Sequence, residues 1–517
     1  MSVAARRSTL GVAGLNFSGK ALAVAKTMLV AALFGASGTL DAFWVAYTLP
    51  LLLPGVLTTV ITVAFVPRFM SSLQGRSGPA AWRGANTLFT LVLLVAVVAA
   101  ALLWWGADGL VHRLAPGLAP DVHAEAVHLT RLLMPAVPLL CLSSLLAALS
   151  YASERFMFPA LEGVTTNVIV ILAALLLLRS MGIQALVVGV LGGFILQSAL
   201  LLWSNRRMIR ENLRPAAALG HPDFLKPLAH LLPLFVGSAG SVLNSLVNQY
   251  FVSGLDAGAI SALAFAGMIA GMPVEVFAQA VMTTYYPGLG RSFARRDHAA
   301  AAHAHADGLR FLVFMTLPAA ILIALLAHPL VVLLLERGRF DAAASTQTAI
   351  VLALLAPSIL MRSVAYLNYR VLHAAIRPWT QVAIGLVGVA LNVVLNALWV
   401  NRFGLAGIAV STTVSATIAA LLSYAAARRV LEAPAPRTLR LEMVTLLRMA
   451  VALTVPSALA LLAMRAVATD WPRPLLALLE LGCAVPGLLC AAWVGWRAGQ
   501  PDLRAAIGRL RPGWAGQ

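Results

Sequence analysis

Apolar stretches of roughly twenty residues, each long enough to cross the hydrocarbon core of a bilayer as a helix, recur along this 517-residue chain. With that length as a ruler the sequence offers about fourteen spans, from near 10–35 and 40–67 to near 474–496. Backbone polar groups in hydrocarbon must bond within the segment, so spans of this length are helical. The expected fold is an all-α polytopic membrane protein. Composition agrees: 61% of residues are hydrophobic and 11% charged, against about a quarter charged in soluble domains.

The formal net charge of +18 is informative through its placement. Of the 37 Lys and Arg residues, 25 fall in the N-terminus, the even-numbered loops and the C-terminal tail, seven in the odd loops and five inside spans. Basic residues concentrate in cytoplasmic loops, so both termini are expected on the cytoplasmic side, with no nucleic-acid partner implied. Arg6 and Arg7 precede an apolar run, as in a signal peptide, but no small-residue cleavage site closes it before Phe34. It reads as a retained first span. Cys141, Cys483 and Cys490 lie in apolar runs without metal or disulfide spacing, and the histidines, His298, His303 and His305 among them, read as loop residues.

A weak internal repeat organises the spans. "TVAFVPRFMSSL" after the second span parallels "TTYYPGLGRSFA" after the eighth, and "LSYASERFMFPAL" parallels "LNYRVLHAAIRPWTQ". Residues 1–214 and 215–432 are therefore expected to be two six-helix lobes with a central cavity between them, where such repeats place a substrate path. Residues 433–517 add a further helix pair and a basic tail. No catalytic motif, phosphate loop or metal cluster stands out, so neither an enzyme nor a bound metal or cofactor is expected.

Ionisable groups inside spans are costly and default to functional readings. Lys20 and Lys26 lie six residues apart in the first span, about 9 Å along a helix and about 120° around it. Asn16, Gly19, Ala23 and Thr27 fall between them, a small polar face that suggests a bound anion over Gly19 and Ala23. Asp41 opens the second span, where it also suits a helix start. Arg362, in the tenth span, and Glu275, in the eighth with Gln279 one turn on, are further cavity-lining candidates. Arg131 and Arg448 read as anchors near span ends; Asn167, Asn244, Asn248, Asn392 and Asn396 read as interhelical hydrogen-bonding residues.

"FGASGTLDAFWVAYTLPLLL", "FPALEGVTTNVIVIL", "VLGGFILQ" and "AFAGMIAGMPVEVFAQAVMTTYYPGLGRSFA" resemble the lipid II flippase family, MurJ or MviN, of the multidrug/oligosaccharidyl-lipid/polysaccharide exporter superfamily. The resemblance implies fourteen spans in two lobes plus a terminal pair, a cationic cavity opening to either side, and a groove for a polyprenyl tail. It places Lys20 and Lys26 at two family arginines and Asp41 at a family aspartate. Two other family arginines fall at Pro54 and Met268 here.

The implied function is flipping of a polyprenyl-diphosphate-linked saccharide, lipid II or a related cell-envelope precursor, across the bacterial inner membrane by alternating access. Membrane lipids and possible glycan-assembly enzymes are the expected partners. Because Lys recognises a diphosphate less specifically than the guanidinium fork, an exopolysaccharide or O-antigen-type lipid-linked oligosaccharide is the alternative cargo. A cation-coupled exporter of small molecules and a non-transporting scaffold of a glycan-assembly complex remain as readings of other kinds; no coupling ion is specified.

Overall fold

Nearly every described residue of the computed structural model is helical, as a chain satisfying its own backbone in lipid must be; it describes residues 3–60, 78–214, 243–432, 437–467 and 471–498. Among them, eleven helical stretches are long and apolar enough to cross a membrane. One of these, Pro378–Leu431, is 54 residues long and breaks at Gly404, with φ 55° and ψ −134°. The spans expected near 379–400 and 404–427 are thus separate helices. The expected count of fourteen is not reached among the described residues, because the spans near 40–67 and 229–253 run partly outside them. "TVAFVPRFMSSL" and the basic C-terminal tail lie outside the described residues as well.

The chain forms two compact units, Met1–Ser261 with Arg337–Arg339, and Ala262–Glu336 with Phe340–Gln517. The first holds α1 (Val3–Phe34), α2 (Gly38–Val60), α3 (Gly78–Trp105), α4 (Ala107–Leu114), α5 (Pro120–Leu133), α6 (Ala136–Ala152), α7 (Glu162–Met181), α8 (Gln184–Asn212) and α9 (243–252). Small residues and buried amides bring its helices together, as is usual where lipid removes the hydrophobic drive for association. A Cβ on Gly19 of α1 would lie 3.3 Å from the Gly163 backbone of α7, and Asn167 donates to the carbonyls of both Gly19 (3.1 Å) and Gly163 (2.7 Å). On α6 and α8, Ser143 meets Ser198 at 2.7 Å and Asn205 donates to Ser150 at 2.8 Å. Arg131 stacks over Trp104 at 5.6 Å, the anchoring expected of it.

The second unit contains α10 (Ala259–Thr284) from Ala262 onward, α11 (Tyr286–Ala294), α12 (His298–Leu325), α13 (Ala327–Leu335), α14 (Ala342–Ala374), α15 (Pro378–Leu431), α16 (Arg437–Val467), α17 (Arg473–Gly482) and α18 (Ala484–Arg497). Asp297 and Asp341 cap α12 and α14, accepting from Ala300 and Ala344 at 2.9 Å; such caps contribute about 1 kcal/mol each. His298, His303 and His305 are therefore helical, not loop residues. His305 is buried and pairs with Asn368 at 2.9 Å, which donates to Ser423 at 3.1 Å. The chain of bonds satisfies three polar groups that hydrocarbon would leave unpaired. Arg310 reaches Asp307 and Glu442 at 3.3 Å, and Arg465 reaches the buried Glu480 at 2.7 Å, tying α16 to α12 and to α17.

The two units use the same turn. Gly182, between α7 and α8, has φ 56° and ψ −130°, matching Gly404, a conformation open to glycine without a Cβ penalty.

The Gly19 contact yields a test. Gly19→Val forces a branched side chain against the Gly163 backbone, and overpacking of this kind costs about 1–3 kcal/mol. The melting midpoint should fall, whereas Gly14→Val, where nothing lies within 4 Å, should leave it unchanged.

Candidate functional site

The first span places its two lysines on either side of a helix contact. Of Gly19 and Ala23, expected to floor an anion site, Gly19 is buried and pressed on Gly163 while Ala23 is half-buried; Thr27 on the same face is buried too. The anion therefore cannot sit over Gly19, which is a correction: the face between the lysines is a packing seam, because glycine attracts a neighbouring backbone more readily than it leaves open water-filled space. Lys20 is exposed and Lys26 half-buried. The Lys26 ammonium makes no hydrogen bond or ion pair with another described residue, although the helix around it is apolar.

Asp41 lies in the first turn of α2, as expected, but its carboxylate is buried and taken up elsewhere. One oxygen accepts from the Gly258 N–H at 2.7 Å, and the other from the N–H and hydroxyl of Ser261 at 2.7 and 2.6 Å. Gly258 and Ser261 flank the first residues of α10, whose N–H groups have no intrahelical partner. The carboxylate satisfies that helix start, a structural bond to a helix other than its own. The turn before α2 is closed by a further contact within the same unit, from Arg339 N–H to the Ala32 carbonyl at 2.9 Å.

In the second unit, Arg362 on α14 and Glu275 on α10 are exposed side chains, and the charge of Glu275 acts on Arg362. The side chains of Gln279 and Pro54 lie outside what the structure describes. Met268 is half-buried on α10.

One residue escaped the sequence reasoning. Glu162, five residues inside the span that begins at Met157, is not among the candidates singled out from the sequence. Its side chain is exposed, and it has no hydrogen-bond or ion-pair partner among the described residues. The available signal was its lone acid within "FPALEGVTTN".

A sequence profile described as lipid II flippase MurJ matches residues 30–480. The chain belongs to the MurJ family. Relatives include a lipid II flippase MurJ of Burkholderia cenocepacia, 28% identical over 448 residues covering 84% of this chain and 86% of that protein. A probable lipid II flippase MurJ of Vibrio cholerae is 25% identical over 439 residues, covering 81% and 82%. Among solved structures, a lipid II flippase MurJ in an inward closed conformation superposes with TM-score 0.78 at 20% identity, covering 94% of this chain and 98% of that one. An inward-facing MATE-family multidrug transporter of the MOP superfamily gives 0.67 at 12% identity, covering 82% and 98%. These likenesses show a shared fold, that of a multi-pass membrane transporter family.

Asp41→Ala should orphan the Gly258 and Ser261 donors, at about 1–3 kcal/mol for each buried group. A thermal melt of the purified protein should show a clear loss for Asp41→Ala and little change for Arg362→Gln; an unshifted Asp41→Ala midpoint contradicts the structural role.

Proposed function

We propose that this chain flips a polyprenyl-diphosphate-linked saccharide from the cytoplasmic to the outer leaflet of the bacterial inner membrane, with both termini cytoplasmic. Lipid II, the cargo named for its relatives, is the first candidate. The observation that carries the reading is Lys26: an ammonium in the middle of an apolar span, half-open and bonded to no other described residue. A charge so placed costs about 2.5–3.5 kcal/mol at insertion and is offset when an anion binds. Lys20 lies on the other side of the α7 contact, about 9 Å away along the axis, so the two cations border one seam without neutralising each other. Arg362, on which the charge of Glu275 acts, is the corresponding charged group of the second unit.

Transport here requires no covalent step. The diphosphate is held by cations while the polyprenyl chain remains in lipid, so only the polar head must be carried through a shielded path. Binding the head replaces its lost hydration with charge-assisted hydrogen bonds. Alternating access then follows from exposing that site to one leaflet at a time, and no cofactor enters the scheme.

A second cargo, an exopolysaccharide or O-antigen-type lipid-linked oligosaccharide, is favoured by one specific observation. The cations are lysines, and Pro54 and Met268 stand at two positions that the resemblance assigns to arginine; lysines recognise a phosphate as point charges without the bidentate geometry of guanidinium. A cation-coupled exporter is less well supported, because the Asp41 carboxylate is already bonded at three points.

Lys26→Gln removes one charge-assisted contact, about 1.5–3 kcal/mol, and should reduce flipping of a lipid-linked glycan in proteoliposomes by about 10- to 100-fold at equal protein, with Lys26→Arg retaining activity. Wild-type rates in Lys26→Gln would remove the lysine from the binding role. Rescue of cells depleted of their lipid II flippase identifies the narrow cargo, and failure by a well-expressed protein identifies another glycan.

A further inference from the structure

The turn Arg337–Arg339 lies between α13 and α14 in the chain but belongs to the first unit, where it is clamped to the end of α1. Gly338 has φ 58°, a conformation that side chains rarely adopt, and a Cβ there would overlap the Ala32 carbonyl oxygen. The Arg339 N–H donates to that same carbonyl at 2.9 Å. Gly35, with φ 66°, meets the Arg339 carbonyl, and a Cβ on it would stand 3.4 Å from the Arg339 Cβ. The stem of Arg339 is thereby fixed beside the outer end of the helix that carries Lys20 and Lys26. Its side chain is exposed and makes no hydrogen bond or ion pair with another described residue.

Ala32 follows Lys26 by six residues, as Lys26 follows Lys20. Cations therefore stand at three depths along α1, each about 9 Å from the next. Loops on the outer side are poor in basic residues. Of the seven arginines in such loops here, two flank Gly338, while Arg465 and Arg473 are taken up by Glu480 and Glu336 at 2.7 and 3.0 Å. The bland reading of Arg339 is an anchor reaching for headgroup phosphates. An anchor of that kind works from any backbone near the interface, whereas this backbone is locked to α1 by two left-handed glycines and a hydrogen bond.

We propose that Arg339 is a second anion site, at the outer end of α1, which takes the diphosphate of the cargo from Lys26 before release. The inference rests on the flippase reading and adds a site to it. The lysines hold a phosphate as point charges, but the guanidinium fork can bond two of its oxygens at once, so the better donor set lies on the exit side. Water and salt screen a charge exposed in this way, which keeps the outer site from trapping the cargo.

The test uses the full-length chain in phosphatidylcholine. In nanodiscs, where both faces are open, binding of geranyl diphosphate is measured with Lys20→Gln and Lys26→Gln combined, so that the inner cations no longer contribute. Binding should persist, should weaken on the order of tenfold when Arg339→Gln is added, and should be kept in part by Arg339→Lys; both changes leave the backbone bonds of the turn in place. In sealed proteoliposomes, Arg339→Gln alone should slow flipping of a lipid-linked glycan on the order of tenfold at equal protein. Absence of Arg339-dependent binding in the nanodiscs, or flipping at the wild-type rate by Arg339→Gln, overturns the proposal. So does abolition of that binding when phosphatidylglycerol replaces phosphatidylcholine, which assigns the arginine to a lipid headgroup. Arg339-dependent diphosphate binding by a chain that flips no lipid-linked glycan keeps the anion site and rejects the flippase reading.

Discussion

The contact between Gly19 and Gly163 organises the first unit. Two helices approach until their backbones touch, and Asn167 ties them by donating to both glycine carbonyls. In lipid an amide so placed has few competing partners, so the crossing point is fixed in depth as well as in angle. Everything chemically unusual about this unit is indexed to that point. Lys20 follows Gly19, Glu162 precedes Gly163, and Lys26 stands further along the same helix. The seam positions charges of both signs by packing, without requiring any of them to hold the helices together.

Asp41 shows a second use of the same economy. A buried carboxylate would be expensive alone, yet here it meets N–H groups that a helix start leaves unbonded. Two groups that are each unfavourable in a dry environment become mutually satisfying. The same logic runs through the second unit, where His305, Asn368 and Ser423 form a closed chain and Glu480 is buried only in company with Arg465.

Much of the architecture was legible in the sequence because the bilayer sets a length scale. Span length located the helices, and the turn at Gly404 fell between two expected spans. Asn167 was read as an interhelical donor and acts as one. What escaped reading depended on neighbours distant in sequence. A helical wheel finds the face carrying Gly19, Ala23 and Thr27 but cannot say whether water or α7 covers it. Asp41 looked like a cap for its own helix because its acceptors' partners lie some 220 residues away. Glu162 drew no notice, since its lack of a partner among the described residues is a property of the fold. His305 looked like a loop residue because the alanine-rich run before it carries little apolar signal.

The Asn–Ser pairs of the two units deserve a last comparison. Ser150 on α6 accepts from Asn205 on α8, and Asn368 on α14 donates to Ser423 on the second arm of α15, each pair separated by 55 residues. The amide sits on the later helix of the pair in the first unit and on the earlier helix in the second. Ser143 with Ser198 shows that two hydroxyls also hold, at 2.7 Å, between α6 and α8. What hydrocarbon demands is a bonded pair at the crossing, not a particular donor on a particular helix, so a swap that moved only one partner of such a pair would strand the other.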